Sequence, residues 1–204
     1  MQSIVFVCWN SGDIWSWIYR LLQKAQSRLD IYKLIPLSGR WTESDLRIAF
    51  QAVDNEKRNI LINAIGSWHY WMLHEIWLET IDKSYEDNFK VPMKVFQQYV
   101  KVVAKNWVRF GKGNYRIFNI NSSAAIEPYP QWLSYCSMKA ALSMWLKVLH
   151  KEYSKFWLKI FEIFPWPVKS RMIEKMPYIP KSWVKSMDRF LEDFEEILIN
   201  KVLK

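Results

Sequence analysis

The sequence predicts a three-layer α/β protein with a mostly parallel sheet. Continuous apolar runs such as Ser3 to Cys8 and Leu158 to Phe164 are typical of strands buried on both faces, as the strands of parallel sheets are. Segments with helical spacing of apolar residues separate these runs, which indicates β–α units. A further strand, Ile117 to Ile120, ends in the small polar residues Asn121 to Ser123. Open α/β sheets bind ligands at the carboxyl ends of their strands, so we expect the site there.

Length and composition favour a single domain over residues 1–204 and exclude several protein classes. No apolar run reaches the length of a membrane span, and the N-terminus lacks the pattern of a signal peptide, so we expect a cytoplasmic protein without membrane contact. Cys8, Cys136 and the scattered histidines form no metal-binding pattern. The net charge of +9 fits lysines on solvated helix faces, and an acidic carrier or phosphorylated substrate is the alternative. No nucleic-acid-binding module is recognisable.

The first β–α unit has the order of a dinucleotide-binding site. The strand Ser3 to Cys8 continues through a tight loop into a helix that we expect from Ser16 to about Gln26. In such units the N-terminus of the helix faces the pyrophosphate of the cofactor. The loop residues expected to contact a cofactor are Trp9, Asn10, Ser11, Gly12, Asp13, Ile14 and Trp15.

The second unit bears on which cofactor is bound. It comprises a strand from Ile31 to Leu37, a short turn and a helix from Thr42 to Val53. No acid stands at the end of this strand, where one would hold the ribose hydroxyls of NAD. Arg40, in the turn, can pair with a 2′-phosphate, which favours NADP(H) over NAD(H); the alternative is an exposed turn arginine. A third strand from Asn59 then runs into the turn Asn63 to Gly66.

Helices dominate the second half of the chain. A weak helical pattern covers Leu73 to Ile81 and a strong one covers Asn88 to Arg109. Prolines 128 and 130 form a loop, and a helix that includes Tyr135 and Lys139 is predicted to extend to about residue 156. The last helix is expected over Lys181 to Asn200.

Tyr135, Lys139 and Ser122 together suggest acid–base chemistry. Tyr135 and Lys139 are four residues apart and therefore share one helical face. A nearby lysine cation favours the phenolate and lowers the pKa of a tyrosine, which then exchanges a proton near neutral pH. Ser122 lies 13 residues before Tyr135, enough chain for a strand end, a loop and one helical turn to bring its hydroxyl to the same substrate oxygen.

These residues resemble the short-chain dehydrogenase/reductase family, through the Tyr-x-x-x-Lys motif and the upstream serine. The resemblance implies a Rossmann-like fold, shortened relative to the family, and hydride transfer between NAD(P) and a carbonyl or alcohol substrate. It implies Tyr135 as proton donor, Lys139 as pKa modulator and ribose anchor, and Ser122 as hydrogen-bond partner of the carbonyl. Asn88 matches the asparagine that holds a proton-relay water, with a helix cap as the alternative. A homodimer is also implied.

Two further segments resemble cofactor-binding segments of the family. Asn63 and Ala64 begin a turn similar to Asn-Asn-Ala-Gly, which lines the adenosine side, although an ordinary turn is the alternative. Pro165, Val168 and Ser170 match the Pro-Gly-x-Val-x-Thr loop that holds the nicotinamide carboxamide.

The tryptophans depart from this pattern. The family has Gly-x-x-x-Gly-x-Gly in the phosphate loop, where this chain has Trp9, Asp13 and Trp15, and Trp166 replaces another family glycine. The chain has 13 tryptophans and only 5 glycines, the reverse of ordinary usage. Our hypothesis is that positions 9, 15 and 166 are glycine in the natural protein, through a UGA codon read as glycine.

Three interpretations remain open at this point. A carbonyl reductase follows from the serine, tyrosine and lysine. Real tryptophans in the phosphate loop would instead favour a non-catalytic dinucleotide-binding or interaction protein of the same fold. The basic charge suggests a reductase of acyl-carrier-linked substrates, of the 3-oxoacyl type.

Overall fold

The structure is a computed structural model that describes residues 1–9, 13–38, 42–69, 71–174, 179 and 181–203. Its sheet has five strands: β1 (Ser3–Trp9), β2 (Ile31–Ser38), β3 (Arg58–Asn63), β4 (Tyr115–Ile120) and β5 (Leu158–Ile163). They lie in the order β2-β1-β3-β4-β5, and each neighbouring pair is parallel. The predicted three-layer, Rossmann-like α/β fold is confirmed.

Seven α-helices connect and flank these strands within the described ranges. They are α1 (Asp13–Lys24), α2 (Glu43–Ala49), α3 (Leu78–Tyr85), α4 (Val91–Phe110), α5 (Leu133–Tyr153), α6 (Arg171–Glu174) and α7 (Met187–Ile197). A π-helical stretch, Glu86–Lys90, joins α3 to α4 and is called the π segment below. Short 3₁₀ turns occupy Phe50–Ala52, Ser123–Ala125, Ser154–Phe156 and Lys181–Trp183, and a second π turn occupies Leu198–Leu203.

The core lies on both faces of the sheet, because alternate residues of each strand point to opposite sides. Phe6 and Leu61 belong to the cluster on one face, where Tyr99 of α4 also packs. Val7 and Ile62 belong to the cluster on the other face. Among the described residues, no helix combines the length and apolar character that a bilayer crossing requires.

Several helix boundaries differ from the predictions. α1 begins at Asp13 rather than Ser16, so Trp15 lies in its first turn and stacks on Trp9, the last residue of β1. Thr42 caps α2 through a capping box with Asp45, as a threonine at this place predicts, but the α-helical turn ends at Ala49. The last helix was predicted as one element over Lys181 to Asn200, and the structure divides it into a 3₁₀ turn, α7 and a π turn.

The largest difference concerns the region before α4. The weak pattern over Leu73 to Ile81 is realised as α3, later in the chain. The residues flanking the π segment, Tyr85 and Val91, have right-handed helical angles, so α3, the π segment and α4 follow one another without a break. Asn88 therefore lies inside a helical stretch and does not cap a helix, which excludes the alternative interpretation. Sequence periodicity missed this because a π turn shifts the apolar register.

Candidate active site

The carboxyl end of β4 and the first turns of α5 bring the three predicted catalytic residues together. Ser122 follows β4 and caps the 3₁₀ turn, with its Oγ accepting the Ala124 N–H at 3.2 Å. The Ser122 side chain is also close enough to the Tyr135 phenol to act on its pKa, which it lowers. The Lys139 Nζ lies 5.6 Å from the centroid of the Tyr135 ring. Tyr135 and Lys139 are both buried, and Ser122 and Tyr135 line a cavity.

Burial dominates the ionisation of this pair. It raises the pKa of Tyr135 to about 12, against the effect of the Ser122 side chain, which lowers it. It lowers the pKa of Lys139 to about 8, against the negative charge of Glu162, which raises it. The prediction that Lys139 would bring the tyrosine pKa towards neutrality is wrong for this state, because desolvation is the largest effect on the Tyr135 pKa and raises it. The Tyr135 phenol consequently keeps its proton at neutral pH.

The Lys139 ammonium is held by the turn after β3. Its Nζ donates to the Ile65 carbonyl oxygen at 3.3 Å. A Cβ on Gly66 would lie 2.9 Å from this Nζ and 3.1 Å from the Asn88 Oδ1, so the turn approaches the lysine only because residue 66 is glycine. The glycine of the turn was visible in the sequence, but its contact with Lys139 was not.

Asn88 lies beside the same turn, fully buried within the π segment. Its Oδ1 accepts the Ser67 N–H at 3.1 Å, and its Nδ2 donates to the Ser84 carbonyl at 3.1 Å. Asn88 thus fixes the chain just after Gly66 and lies near Lys139, as the family resemblance implies.

A buried polar network lies behind the catalytic residues, and sequence reasoning missed it. Glu162 of β5 accepts from Asn119 Nδ2 at 2.9 Å, from Asn121 Nδ2 at 2.8 Å and from Ser143 Oγ at 2.7 Å. Asn63 donates in turn to the Asn119 Oδ1 at 2.7 Å, so its side chain joins β3 to β4. The signal available in the sequence was a lone acid inside the apolar run of β5.

One cavity collects residues from the phosphate loop, the end of β4, the start of α5 and the loop after β5, whereas Asn63 and Ala64 do not line it. Ser122 and Tyr135 line it together with Ile14 from the phosphate loop and with Pro165, Val168 and Ser170. Its walls include two aromatic residues that were not predicted, Trp68 and Trp132. The rings of Trp132 and Tyr135 meet edge to face, with centroids 5.8 Å apart.

The loop after β5 is anchored on both sides. The Pro165 carbonyl accepts the Ser123 N–H at 3.0 Å, which ties the loop to the end of β4. Val168 bridges to Lys185, and the Ser170 hydroxyl accepts the Ile173 N–H at 3.5 Å. Trp166 is 48% exposed at the cavity rim.

The phosphate end of the expected cofactor site carries two indoles. Trp9 ends β1 and Trp15 lies in the first turn of α1; their rings stack with centroids 4.0 Å apart and an interplanar angle of 9°. The Trp15 Nε1 is buried and has no hydrogen-bond partner among the described residues. The rest of this prediction, Asn10, Ser11 and Gly12, lies outside the described residues. So do the side chain of Asp13 and the whole of Arg40.

The residues therefore fit a nicotinamide cofactor at one end only. Ser122, Tyr135 and the loop from Pro165 leave a cavity suited to a reacting ring. The stacked indoles instead occupy the junction of β1 and α1, where a backbone without side chains normally approaches phosphates. As for metals, the described chain contains no cluster of three potential ligands, and the metal prediction was none.

Comparison with known proteins identifies what the chain resembles. A family model described as short chain dehydrogenase matches residues 42–178. L-xylulose reductase of Caenorhabditis elegans is 28% identical over 176 residues, which cover 84% of this chain and 68% of that protein. Sepiapterin reductase of Xenopus laevis is 36% identical over 58 residues, 28% of this chain and 21% of that protein.

Solved structures share the fold. A 3-ketoacyl-(acyl-carrier-protein) reductase from Brucella melitensis complexed with NADH has a TM-score of 0.75 at 14% identity, over 99% of this chain and 93% of that chain. A short-chain dehydrogenase/reductase from Vibrio parahaemolyticus has a TM-score of 0.71 at 17% identity, over 96% and 91% of the two chains. ElxO with NADP bound has a TM-score of 0.71 at 16% identity, over 98% and 91%. At these identities the likeness shows the fold alone.

Proposed function

From the premise that the chain belongs to the short chain dehydrogenase family, we propose that it reduces a small carbonyl substrate to an alcohol. As a member of this family it is an oxidoreductase that acts on CH–OH or C=O groups. The observation that carries the proposed direction and the residue roles is that Ser122 and Tyr135 line one cavity, with the buried Lys139 Nζ 5.6 Å from the Tyr135 ring centroid.

The residues divide the proton chemistry between them. The Ser122 and Tyr135 hydroxyls hydrogen-bond the substrate oxygen, and Tyr135 gives its proton to the alkoxide that develops there. The Lys139 cation stabilises the tyrosinate that remains. A nicotinamide cofactor supplies the hydride when bound. Asn88 supports the lysine through the turn at Ser67 and, by the family resemblance, holds the water that returns a proton.

The aromatic cavity walls and the charge bear on the substrate and partners. Trp68 and Trp132 favour a substrate with an apolar body attached to the carbonyl. A 3-oxoacyl-type substrate is compatible with this cavity and with the net charge of +9. We propose that the protein acts in the cytoplasm. We also propose that it forms a homodimer, which is supported by exposed apolar residues on α4 and α5: Val108, Phe110, Met144 and Val148.

We propose that the cofactor is NADP(H) rather than NAD(H). The reason is Arg40, which follows β2 in the sequence and can pair with the 2′-phosphate of NADP(H). Solved relatives of the same fold carry either NADH or NADP. Both cofactors need a phosphate loop that the backbone alone lines, so the indoles at positions 9 and 15 obstruct NAD(H) and NADP(H) alike.

We propose that several tryptophans, including those at positions 9, 15 and 166, are glycine in the natural protein. Three observations support this. The Trp9–Trp15 stack leaves a buried indole N–H without a partner, and Trp166 is half exposed beside the cavity. Trp157 has a φ of 63°, a left-handed conformation that favours glycine, and its indole is 58% exposed.

The rival function is that of a non-catalytic protein of the same fold. The Trp9–Trp15 stack favours this rival if the natural protein also has tryptophan at positions 9 and 15. Tyr135→Phe separates the two. For a reductase, removing the phenolic proton is expected to lower turnover by about 10²- to 10⁴-fold while cofactor binding persists. Turnover is measured from NADPH absorbance with aliphatic and aromatic carbonyl compounds, and binding from NADPH fluorescence.

The matched control is Tyr85→Phe, since Tyr85 is 40% exposed on α3 and lies away from the cavity. It is expected to behave as the parent protein. Equal turnover by Tyr135→Phe and the parent would contradict the mechanism, and absence of both binding and turnover in every form would favour the rival.

A further inference from the structure

The acid within β5 has a place in the reaction that the catalytic residues alone do not explain. Glu162 is a half-buried side chain in a strand whose other residues are mostly apolar. Placing a carboxylate there carries a desolvation cost unless it is well hydrogen-bonded. Its two oxygens accept three hydrogen bonds from Asn119, Asn121 and Ser143, at 2.7 to 2.9 Å.

Two of these contacts lead directly to the catalytic helix. Ser143 lies on α5, one turn after Lys139. Asn121, which precedes Ser122, donates from the same Nδ2 to Glu162 and to the Lys139 carbonyl oxygen, at 2.8 and 3.3 Å. The carboxylate therefore joins the end of β4 to α5 at the point where the serine and the lysine must stay in register.

We propose that Glu162 is a positioning residue for the reaction, which holds Asn121 and α5 together and places a negative charge in the polar network behind the buried Lys139. The role in turnover rests on the proposed function, whereas the effect on Lys139 does not. Burial lowers the pKa of Lys139 to about 8, and the Glu162 charge opposes that shift. Without the acid, the lysine would lose its proton closer to neutral pH and stabilise the tyrosinate less.

Few other charges lie near enough to take over this role. The charge found to act on Lys139, within the described ranges, is that of Glu162 on β5. The other titratable residues on the elements packed around Lys139 include Tyr135, Cys136, Lys147, His150, Lys151 and Glu152 on α5, Lys159 on β5, Glu86, Asp87 and Lys90 in the π segment, Asp82 and Lys83 on α3, and His69 after β3. Asp87 is engaged elsewhere, because its carboxylate accepts from Ser67 Oγ at 2.8 Å and from Lys83 Nζ at 3.0 Å. Tyr135 and Cys136 have pKa values raised by burial, so they are neutral at physiological pH.

Glu162→Gln is a sharp test because it removes the charge and keeps the shape. The glutamine Oε1 can still accept from Asn119 and Asn121, and its amide can donate to Ser143, whose hydroxyl also accepts. The matched control is Ser143→Ala, which removes one hydrogen bond and leaves the carboxylate charge. A merely structural role predicts similar behaviour for the two variants.

The first readout is the titration of Lys139 itself, followed by NMR of protein labelled with ¹³C at the lysine Cε, with Lys139→Met identifying the resonance. Glu162→Gln is expected to lower the midpoint of Lys139 by about one pH unit, whereas Ser143→Ala leaves it unchanged. Glu162→Asp keeps the negative charge but moves it away from Lys139, because the side chain is shorter. The Lys139 midpoint should therefore be highest in the parent, lower in Glu162→Asp and lowest in Glu162→Gln. This titration needs no substrate, and it stands even if the proposed activity fails.

The second readout is the pH profile of carbonyl reduction in the same proteins. The alkaline limb is expected to move to lower pH by the same amount in Glu162→Gln and to stay in place in Ser143→Ala. Lys139 midpoints that are equal in all forms, or ordered differently, would overturn the proposal. If Glu162→Gln does not fold, a midpoint for Glu162→Asp equal to or above that of the parent overturns it as well.

Discussion

Burial acts in opposite directions on the two ionisable residues of the site. It raises the pKa of Tyr135 to about 12 and lowers that of Lys139 to about 8. Both shifts favour the neutral form, because moving a charge out of water is unfavourable. The site is thus set to donate a proton from tyrosine, and its lysine changes charge within an accessible pH range.

The lysine shift predicts a dependence of stability on pH. Between about pH 8 and 10.5 the unfolded chain binds the lysine proton and the folded chain has lost it, so this group makes the free energy of unfolding rise with pH. Lys139→Met should therefore be more stable than the parent at pH 7, by up to about 3 kcal/mol, and this advantage should vanish by about pH 10.5. Urea unfolding at pH 7, 8.5 and 10 measures the difference.

Lys147→Met is the control, since Lys147 is an exposed lysine of the same helix. It should show no comparable change with pH. A constant difference between Lys139→Met and the parent across this range would mean that Lys139 is not buried in solution.

Gly66 provides a second prediction at the scale of single residues. In Gly66→Ala the added methyl would come within 2.9 Å of Lys139 Nζ and 3.1 Å of Asn88 Oδ1, so the lysine must move. We expect turnover to fall by about tenfold or more, because small displacements of catalytic groups are costly. Steady-state kinetics with the substrate used for Tyr135→Phe measure it.

Gly111→Ala is the contrasting variant. Gly111 ends α4 with a φ of 64°, and a Cβ there would meet no atom within 4 Å. It should lose about 1 kcal/mol of stability through backbone strain and keep its turnover. The idea fails if the two glycine variants lose activity to the same extent.

The proximity of the proposed catalytic residues was predictable from the sequence, because spacing on one helix fixes most of their geometry. Tyr135 and Lys139 come together through helical periodicity alone, and Ser122 through the strand end before it. The partners from distant segments were not predictable. Ile65 reaches Lys139 across 74 positions of sequence, and no local pattern encodes that contact. Glu162 was similarly visible only as an acid in an apolar strand.

At the scale of elements, strand positions were predicted better than helix boundaries. β1 and β5 are continuous apolar runs. A strand buried on both faces requires such a run, so the run marks the position of the strand in the sequence. Helix ends depend on capping and on local irregularities. The cap of α2 is recognisable in the sequence from Thr42. The π segment follows no simple period, and the apolar pattern therefore predicts a helix start within it, at Asn88.

The connection between α5 and β5 gives a prediction at this scale. Trp157 has a left-handed φ of 63° after the 3₁₀ turn, and its indole is exposed. Trp157→Gly should therefore stabilise the protein by about 0.5–1 kcal/mol, because glycine adopts this conformation without steric cost. Urea midpoints measure the change.

Trp17→Gly is the matched control, since Trp17 is 42% exposed but lies inside α1. There, glycine should destabilise by up to about 1 kcal/mol. Equal effects of the two substitutions would show that position 157 has no preference for glycine.

At the scale of the whole molecule, the catalytic half and the phosphate half of the site disagree. Ser122, Tyr135 and Lys139 form a complete set, while Trp9 and Trp15 cover the end of β1. If the natural residues are glycine, Trp9→Gly/Trp15→Gly should bind NADPH more tightly than the parent, since the backbone can then approach the phosphates more closely. Fluorescence titration measures the binding, and peptide mass spectrometry of protein from its natural source identifies the residues directly.

A matched double variant, Trp17→Gly/Trp77→Gly, removes two exposed indoles away from the cavity and should gain no binding. Tryptophan at positions 9 and 15 in the natural protein, together with no gain of binding in Trp9→Gly/Trp15→Gly, would favour the non-catalytic rival.

The π segment has a consequence for how the length of this chain can change. A π turn accommodates one residue more than an α-helical turn does, so Glu86–Lys90 sets the rotational phase between α3 and α4. Deleting a single residue there would let the π stretch close into an α-helical turn and would move the side chains within it around the helix axis. Asn88 would then turn away from Ser67 and the glycine beside Lys139. Substitution is therefore tolerable at the exposed positions of this stretch, whereas a change in the number of residues is not.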